Sequence, residues 1–462
     1  MAALLVFVVF LVAIVLSIPI GVSMILGSVA PILMMARGGV IPQIVDNTLS
    51  GANSTPILAV PLFILGGVIM AEGGISKKLF NFFSYFVGRF TGGVPCAVVL
   101  TCLFYGAISG SGPATTAAVG AMCIPFMVDL GYNKTWAAGL IAVAGGLGVI
   151  IPPSIPFVLY SLATGVSTGK LFLGGVLPGI LIGLFLMLYA VFYCATKGED
   201  KAKIKSRLDE ISKDGFWPLL KDSIWALLCP IIILGGIYSG FFTPTEAAVV
   251  SVFYAIIVCL FIEKTISFSA LPSFLISSVK TYGGLAFVLA FATAFGRVLS
   301  LTHATSAVYD FMVNNFASPV SVITVCTIIF LILGMVMDTG PAIIIMAPVL
   351  LPAVSGLAGN AAREAAVAAG LDAAGIANAV KIAVQDIEVH FGVILVCCLS
   401  IGLATPPFGL DLFVAGNISQ DQPMDVAKRA VPFIIAFLVS LALIVYIPAI
   451  STWLVRLVGF GG

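Results

Sequence analysis

The chain has 462 residues, of which 61% are hydrophobic and 9% charged, whereas a soluble domain carries about 25% charged residues. That excludes an ordinary soluble domain. Apolar runs of the ~20 residues needed to cross a bilayer recur from end to end and predict an all-α, polytopic membrane protein with roughly ten to twelve full spans and shorter re-entrant pieces. The formal net charge of +1 argues neither for nor against a charged partner.

The chain is apolar from Ala2 to Ile18, with no basic leader and no cleavage site, and this segment reads as a retained span. Residues 3–35 hold that span with room for a return. Gly38 to Thr55 is polar and glycine-rich and reads as a loop. Ile57 to Met70 reads as a short apolar helix, broken at Gly73-Gly74. Residues 79–91 are aromatic, with Lys77, Lys78 and Arg89 at their edges, and suit either the headgroup zone or a short span. Residues 94–131 read as two helices joined at Ser109–Pro113. Residues 135–165 read as one helix interrupted at Gly148–Pro156, and residues 171–195 as a clean span.

Lys197 to Asp222 is the one strongly charged connector and holds seven of the 21 basic residues. The excess of Lys and Arg places it in the cytoplasm. It divides a first repeat, 1–196, from a second, 223–462. Ile224 to Gly240 is a span. Thr243-Pro-Thr-Glu246 has the layout of a capping box that opens a helix. Residues 247–262, 276–300 and 320–337 are further spans. A break at Asp338–Pro341 precedes a helix to about Leu351. Residues 388–416 carry a second interrupted helix, and 431–458 finish the chain.

The two halves echo each other. Gly106-Ala-Ile-Ser109-Gly110-Ser111-Gly112-Pro113-Ala114 is matched 228 residues later by Gly334-Met-Val-Met-Asp338-Thr339-Gly340-Pro341-Ala342. Gly148-Val-Ile-Ile-Pro152-Pro153 is matched 254 residues later by Gly402-Leu-Ala-Thr405-Pro406-Pro407. The 26 extra residues fall in Ser355–Asp386, alanine-rich with Arg363, Glu364, Asp372 and Lys381, which reads as a partly amphipathic helical loop added outside the core.

A break inside lipid leaves backbone groups unpaired unless they face protein, water or a ligand. Matching breaks in two halves are the sequence mark of a carrier's binding site. Sodium in such a site takes about five or six oxygens from unwound carbonyls and hydroxyls. Ser109-Gly110-Ser111-Gly112 offers hydroxyls and permissive backbone beside Pro113, and Asp338-Thr339-Gly340-Pro341 adds a carboxylate. Thr405-Pro406-Pro407 frees carbonyls, as does the stretch from Ile151 through Pro152, Pro153 and Ser154 to Pro156. Helices restarting after the breaks aim N–H groups at the gap and attract anions. Cation and carboxylate can thus share one place.

Other candidates are weaker. The nine cysteines all lie in apolar stretches without a CxxC spacing and read as small core residues. Asp386, Glu388 and His390 alternate like a ligand cluster, but no fourth ligand is near and no metal is expected there. Asp411 is either functional or a solvated loop acid. Arg297 either snorkels to the interface or meets an anionic substrate.

The chain resembles the large membrane subunit (M subunit) of tripartite ATP-independent periplasmic (TRAP) transporters. The likeness lies in Leu58-Ala-Val-Pro-Leu-Phe-Ile-Leu-Gly-Gly67, Ser109-Gly-Ser-Gly-Pro-Ala-Thr115, Ile150-Ile-Pro-Pro-Ser-Ile-Pro156, Thr243-Pro-Thr-Glu-Ala-Ala248, His390-Phe-Gly392 and Thr405-Pro-Pro-Phe-Gly409. It covers nearly the whole chain. The resemblance implies an elevator-type carrier of the bacterial inner membrane, with inverted repeats that each combine scaffold helices, a re-entrant hairpin and an unwound helix. Ser109, Gly110, Ser111, Gly148 and Pro152 would hold one Na+, and Asp338, Thr339, Gly340, Gly402 and Thr405 a second. The substrate would lie between them, near Ser111, Pro113, Ser154, Asp338, Thr405 and Pro407. It would be an organic acid such as sialic acid, a C4-dicarboxylate or a sugar acid. A small four-helix membrane subunit, as a separate chain, and a soluble periplasmic binding protein would be the partners. Two rivals stay open: a stand-alone sodium/dicarboxylate carrier, and a channel or membrane enzyme.

Overall fold

The computed structural model describes residues 2–34, 40–53, 55–211, 213, 215–316 and 318–459. Among these the regular structure is all helical. The N-terminal elements are α1 (Ala2–Val15), α2 (Ile20–Met34), α3 (Ile41–Ala52), α4 (Ala59–Glu72) and α5 (Ile75–Val87). The first broken unit follows: α6 (Gly93–Ser109), α7 (Gly112–Asp129), α8 (Lys134–Gly145), α9 (Ile155–Thr164) and α10 (Thr168–Lys197). Helices α11 (Lys201–Ile211), α12 (Phe216–Tyr238), α13 (Pro244–Ile256), α14 (Leu271–Leu301) and α15 (Ala304–Asn315) lead to the second. That unit is α16 (Pro319–Val336), α17 (Thr339–Ala368), α18 (Ala373–Gly402), α19 (Leu410–Ser419) and α20 (Pro423–Tyr446), closed by α21 (Ala449–Leu457).

Eight of the described helices are long and apolar enough to cross a membrane, or nine if α4 and α5, bent by 69° at Gly73-Gly74, count as one span. The sequence suggested ten to twelve. The difference arises because Gly and Pro cut several apolar runs into helices of 10–17 residues, as in α6, α9 and α19. The expected loop at 38–55 holds α3, whose polar residues lie along one face of an amphipathic helix; Gly38, Gly39 and Ser54 lie outside the described residues. The helix expected to end near Leu351 continues to Ala368, and its partner begins at Ala373. The proposed loop at 355–386 is therefore the far end of a long hairpin of α17 and α18. Alanine, the best helix former, extends both arms. Gly370 (φ +70°) turns the chain, and the Asp372 side chain caps α18 by accepting the Gly375 N–H at 2.8 Å. The charged connector contains α11. The capping box at α13 forms as read: the Glu246 carboxylate accepts the Thr243 N–H at 2.8 Å, and the Thr243 hydroxyl accepts the Glu246 N–H at 3.3 Å.

Two bodies follow from the packing. Helices α2, α3, α4, α13 and α14 pack together as a frame, with α12 on α5 and α13. The second body is built from the two broken units, with matching neighbours: α7 on α8 as α17 on α18, and α6 on α8 as α16 on α18. The halves after the breaks are exchanged. Helix α9 packs on α17 and α18, while α19 packs on α7 and α8. Ser400 donates to the Gly146 carbonyl at 2.7 Å across the same 254-residue interval that relates the motifs, so equivalent positions touch. That places them beside a pseudo-two-fold axis.

Lipid offers helices no hydrophobic gain on meeting, so close backbone packing between small residues holds such interfaces. In the first unit a Cβ on Gly106 would stand 2.6 Å from the Gly148 Cα; in the second, a Cβ on Gly402 would stand 2.2 Å from the Gly334 carbonyl carbon. The first arm of each hairpin is thus pressed backbone to backbone on its broken helix. Substituting Gly402→Ala is expected to cost the ~1–3 kcal/mol typical of overpacking, visible as a lower melting temperature of the purified protein. Gly283→Ala, where nothing stands within 4 Å, is expected to leave melting unchanged or raise it.

Candidate functional site

The hairpin tips are built by the local chemistry of the breaks. Gly110 (φ +63°) ends α6, its N–H donating to the Gly106 carbonyl at 2.8 Å. A side chain there would meet the Pro153 carbonyl at 2.9 Å, so both conformation and space require glycine. Ser111 is extended, and Pro113 sits in the first turn of α7, where its missing N–H costs nothing. The Ser109 and Thr115 hydroxyls lie 2.9 Å apart, and Thr115 donates to the Ser111 carbonyl at 2.8 Å, which locks the tip. In the second tip Asp338 is the N-cap of α17 and accepts the Thr339 N–H at 2.7 Å.

The unwound segments run beside the tips. A 3-10 turn at Gly146–Val149 and a cis Pro152-Pro153 bond separate α8 from α9, and a cis Pro406-Pro407 bond lies between α18 and α19. The Ile155 N–H donates to the Gly110 carbonyl at 3.3 Å, and the Phe408 N–H to the Met335 carbonyl at 3.1 Å. Each tip is therefore tied by backbone to the unwound segment of its own repeat.

Both tips open into one cavity of about 670 Å³, between the frame and the second body. The structure brings together there Ser109, Gly110, Ser111, Pro113, Asp338, Thr339 and Gly340 of the predicted residues. Gly148, Pro152, Ser154, Gly402, Thr405 and Pro407 are not in its lining. Gly148 and Gly402 form the glycine contacts above, and Pro152 is buried. Ser154 is spent on structure: it caps α9, accepting the Phe157 N–H at 3.4 Å, and donates to the Val149 carbonyl. Thr405 donates to the Ile401 carbonyl at 2.7 Å, and Pro407 is exposed. Ser154, Thr405 and Pro407, expected to face a substrate, thus stand off the cavity.

Three polar lining residues were not singled out from sequence: Glu72 of α4, and Ser277 and Thr281 of α14. A signal existed, since Ser273, Ser277 and Thr281 recur every four residues on one face of an apolar helix. Arg297 is exposed on α14 and outside the lining. Asp411 is fully buried rather than a solvated loop acid. His390 lies 2.6 Å from the Ser451 hydroxyl and 3.3 Å from the Val445 carbonyl, and Asp386 pairs with Arg456; no cluster of three metal-ligating residues occurs among the described residues.

The electrostatics are one-sided. Among the described residues the lining holds two acids, Glu72 and Asp338, and no Lys, Arg or His. The N-terminal ends of α7 and α17 bring partial positive charge to the tips, and the carbonyl ends of α6 and α16 bring partial negative charge beside them. The arrangement can hold small cations on carbonyls, hydroxyls and Asp338. An anion can enter next to them, with N–H groups as its donors.

A profile of the family described as tripartite ATP-independent periplasmic transporter, DctM component, matches residues 7–450. The chain is 34% identical over 437 residues to the isethionate TRAP transporter permease protein DctMQ of Oleidesulfovibrio alaskensis; the match covers 94% of this chain and 64% of that longer relative. It is 35% identical over 395 residues to the C4-dicarboxylate TRAP transporter large permease protein DctM of Pseudomonas aeruginosa, covering 86% of this chain and 85% of the relative. The crystal structure of the Alcanivorax borkumensis YdaH transporter shares the fold, with a TM-score of 0.56 at 14% identity over 91% of this chain and 88% of that one.

The cavity can be mapped by thiol labelling, because all nine native cysteines are buried. Thr281→Cys is expected to react with a water-soluble maleimide in the purified protein. Ser278→Cys, at a position 2% exposed on the same helix, is expected to stay unlabelled.

Proposed function

This chain belongs to the DctM family of tripartite ATP-independent periplasmic transporters, and we propose that it carries an organic acid anion inward on a sodium gradient. It is a multi-pass transporter permease of the inner membrane and not an enzyme. One observation carries the reading: two duplicated hairpin tips meet in one cavity whose lining, among the described residues, has two acids and no base. An anion in such a place needs cations that the side chains do not supply. Bound sodium would neutralise it and would make substrate affinity depend on sodium occupancy, which is what coupling requires. Each elementary charge moved inward gains ~2.3 kcal/mol per 100 mV.

In this reading Ser109, Gly110 and Ser111 hold one sodium with the backbone near Gly148 and Pro152. Asp338, Thr339 and Gly340 hold the second with the backbone near Gly402 and Thr405. Ser111, Pro113 and Asp338 face the substrate from the second body, and Ser277 and Thr281 face it from the frame. The substrate class follows the relatives' acids: a C4-dicarboxylate, isethionate, sialic acid or a sugar acid. Movement would be elevator-like, the second body sliding on the frame. Gly67 favours this, because a Cβ there would stand 3.0 Å from the Ser109 Cα, so the frame meets the first tip through bare backbone. A small four-helix membrane subunit and a soluble periplasmic binding protein would complete the assembly. The charged connector would face the cytoplasm.

The test is uptake into proteoliposomes with small subunit, binding protein and a panel of organic acids, with and without a sodium gradient. Wild-type uptake is expected to vanish without sodium. Ser111 makes no side-chain capping bond, so its hydroxyl is free to ligate. Ser111→Ala and Thr339→Ala are each expected to raise the half-saturating sodium concentration about tenfold, one ligand's worth at ~1.4 kcal/mol, at normal protein abundance. An unchanged sodium response in both variants would refute the assigned sites. Uptake by this chain alone would favour the stand-alone carrier, and current without saturable flux a channel.

A further inference from the structure

Asp411, in the first turn of α19, is 0% exposed, and both of its carboxylate oxygens lack a hydrogen-bond partner among the described residues. It takes part in no ion pair there. The charged group that acts on it is another acid, Asp338. Its backbone N–H donates to the Leu403 carbonyl at 2.8 Å. A buried carboxylate in that condition is among the most costly groups a protein can hold.

The polar neighbours are oxygens, beside the Leu403 side chain. The Thr116 hydroxyl of α7 is the polar side chain set against the carboxyl, a weak hydrogen-bonding neighbour; it too is 0% exposed, and among the described residues neither group has a partner at full hydrogen-bond geometry. The position of a Cβ on Gly112 lies 3.2 Å from Asp411 Oδ2 and 3.6 Å from the Gly145 carbonyl oxygen, so both border one small space that glycine leaves open. Gly145 also makes the notch for Thr116, since a Cβ on it would stand 1.8 Å from the Thr116 hydroxyl oxygen. This place is not the cavity. Leu410 lines the cavity and Asp411 does not, while the adjacent Thr115 turns to the hairpin tip as Thr116 turns to Asp411.

The fold does not require a carboxylate here. By the motif offsets, the second-repeat counterpart of Thr116 is Ile344 and the first-repeat counterpart of Asp411 is Phe157, both buried. The same architecture is thus filled with hydrocarbon in one place and with unpaired oxygens in the other.

We propose that the Asp411 carboxylate, the Thr116 hydroxyl and the Gly145 carbonyl form a third, buried site for a monovalent cation, sodium, that joins the two repeats. A proton on Asp411, shared with the Thr116 hydroxyl, would satisfy one of the carboxyl oxygens and leave the other without a donor. An ion about 2.4 Å from each oxygen satisfies several at once while keeping them beyond hydrogen-bond distance of one another. A single carboxylate among neutral oxygens suits one positive charge, and no cluster of three His, Cys, Asp or Glu occurs among the described residues. Asp411 belongs to the second repeat and its neighbours to the first, so the ion would fasten α19 onto α7 and α8.

The inference rests on the sodium-coupled reading, and its test separates the two. The purified full-length chain is assayed for bound 22Na+ per chain and for sodium-dependent melting, as wild type and as Asp411→Asn, Thr116→Val, Ser111→Ala and Thr339→Ala. Asp411→Asn is expected to bind one sodium fewer and to melt higher than wild type without sodium, because an unpaired charge is gone. Thr116→Val, close in shape, is expected to weaken one class of site about tenfold and covers the case in which Asp411→Asn does not fold. Unchanged sodium number and affinity in both variants, with losses in Ser111→Ala and Thr339→Ala, overturns this site and leaves the coupled reading standing. Loss of a pH-dependent proton in Asp411→Asn at an unchanged sodium number also overturns it, making Asp411 a proton carrier. No sodium bound by wild type overturns both.

Discussion

Backbone pressed on backbone at two places organises this protein. Gly106 meets Gly148 in the first repeat and Gly334 meets Gly402 in the second, with no side chain between. In lipid, where helices gain little from burying hydrocarbon against each other, such contacts carry the association. They also bring the end of each hairpin's first arm beside the unwound stretch of its own repeat. The tips, the double prolines and the exchanged helices α9 and α19 all depend on this approach. A methyl group at Gly402 would occupy the space of the Gly334 carbonyl carbon.

The second organising fact is what the polar groups are used for. Most breaks in helices here are repaired internally. Ser154 caps α9, Thr405 returns to the Ile401 carbonyl, and Ser400 reaches the Gly146 carbonyl of the other repeat. The groups at the tips, Asp338 among them, are left facing a cavity instead, with Glu72 as the other acid and no base among the described residues. Unpaired polarity inside a membrane protein is expensive, so its persistence marks function rather than packing. Asp411 and Thr116 extend that pattern outside the cavity.

Much of this was legible in the sequence, and the reason is local. Gly and Pro act on their own backbone, so Ser109–Pro113, Gly148–Pro153, Asp338–Pro341 and Gly402–Pro407 could be read as breaks without knowing any neighbour. The capping box at Thr243 and Glu246 was readable for the same reason. The misreadings have a common cause in composition standing in for geometry. The stretch around α3 looked like a loop because it is polar and rich in glycine, yet its polarity is confined to one helical face. Residues 355–386, which the unequal motif offsets mark as extra relative to the first repeat, were read as a helical loop outside the core because alanine and scattered charge do not show where they pack, yet they lengthen two helices already under way.

By itself, then, the sequence determined that the chain spans a membrane, where its helices break, and that the breaks come in pairs. Each of those properties depends on the hydrophobicity or the allowed backbone angles of a few consecutive residues. Only the tertiary structure decided which broken residues face a cavity and which are consumed by caps. It also brought Glu72, Ser277 and Thr281 opposite the hairpin tips, and set Asp411 against Thr116 from the other repeat. Those facts depend on distances between residues far apart in the chain, fixed by how the exchanged helices pack, and no run of consecutive residues encodes them.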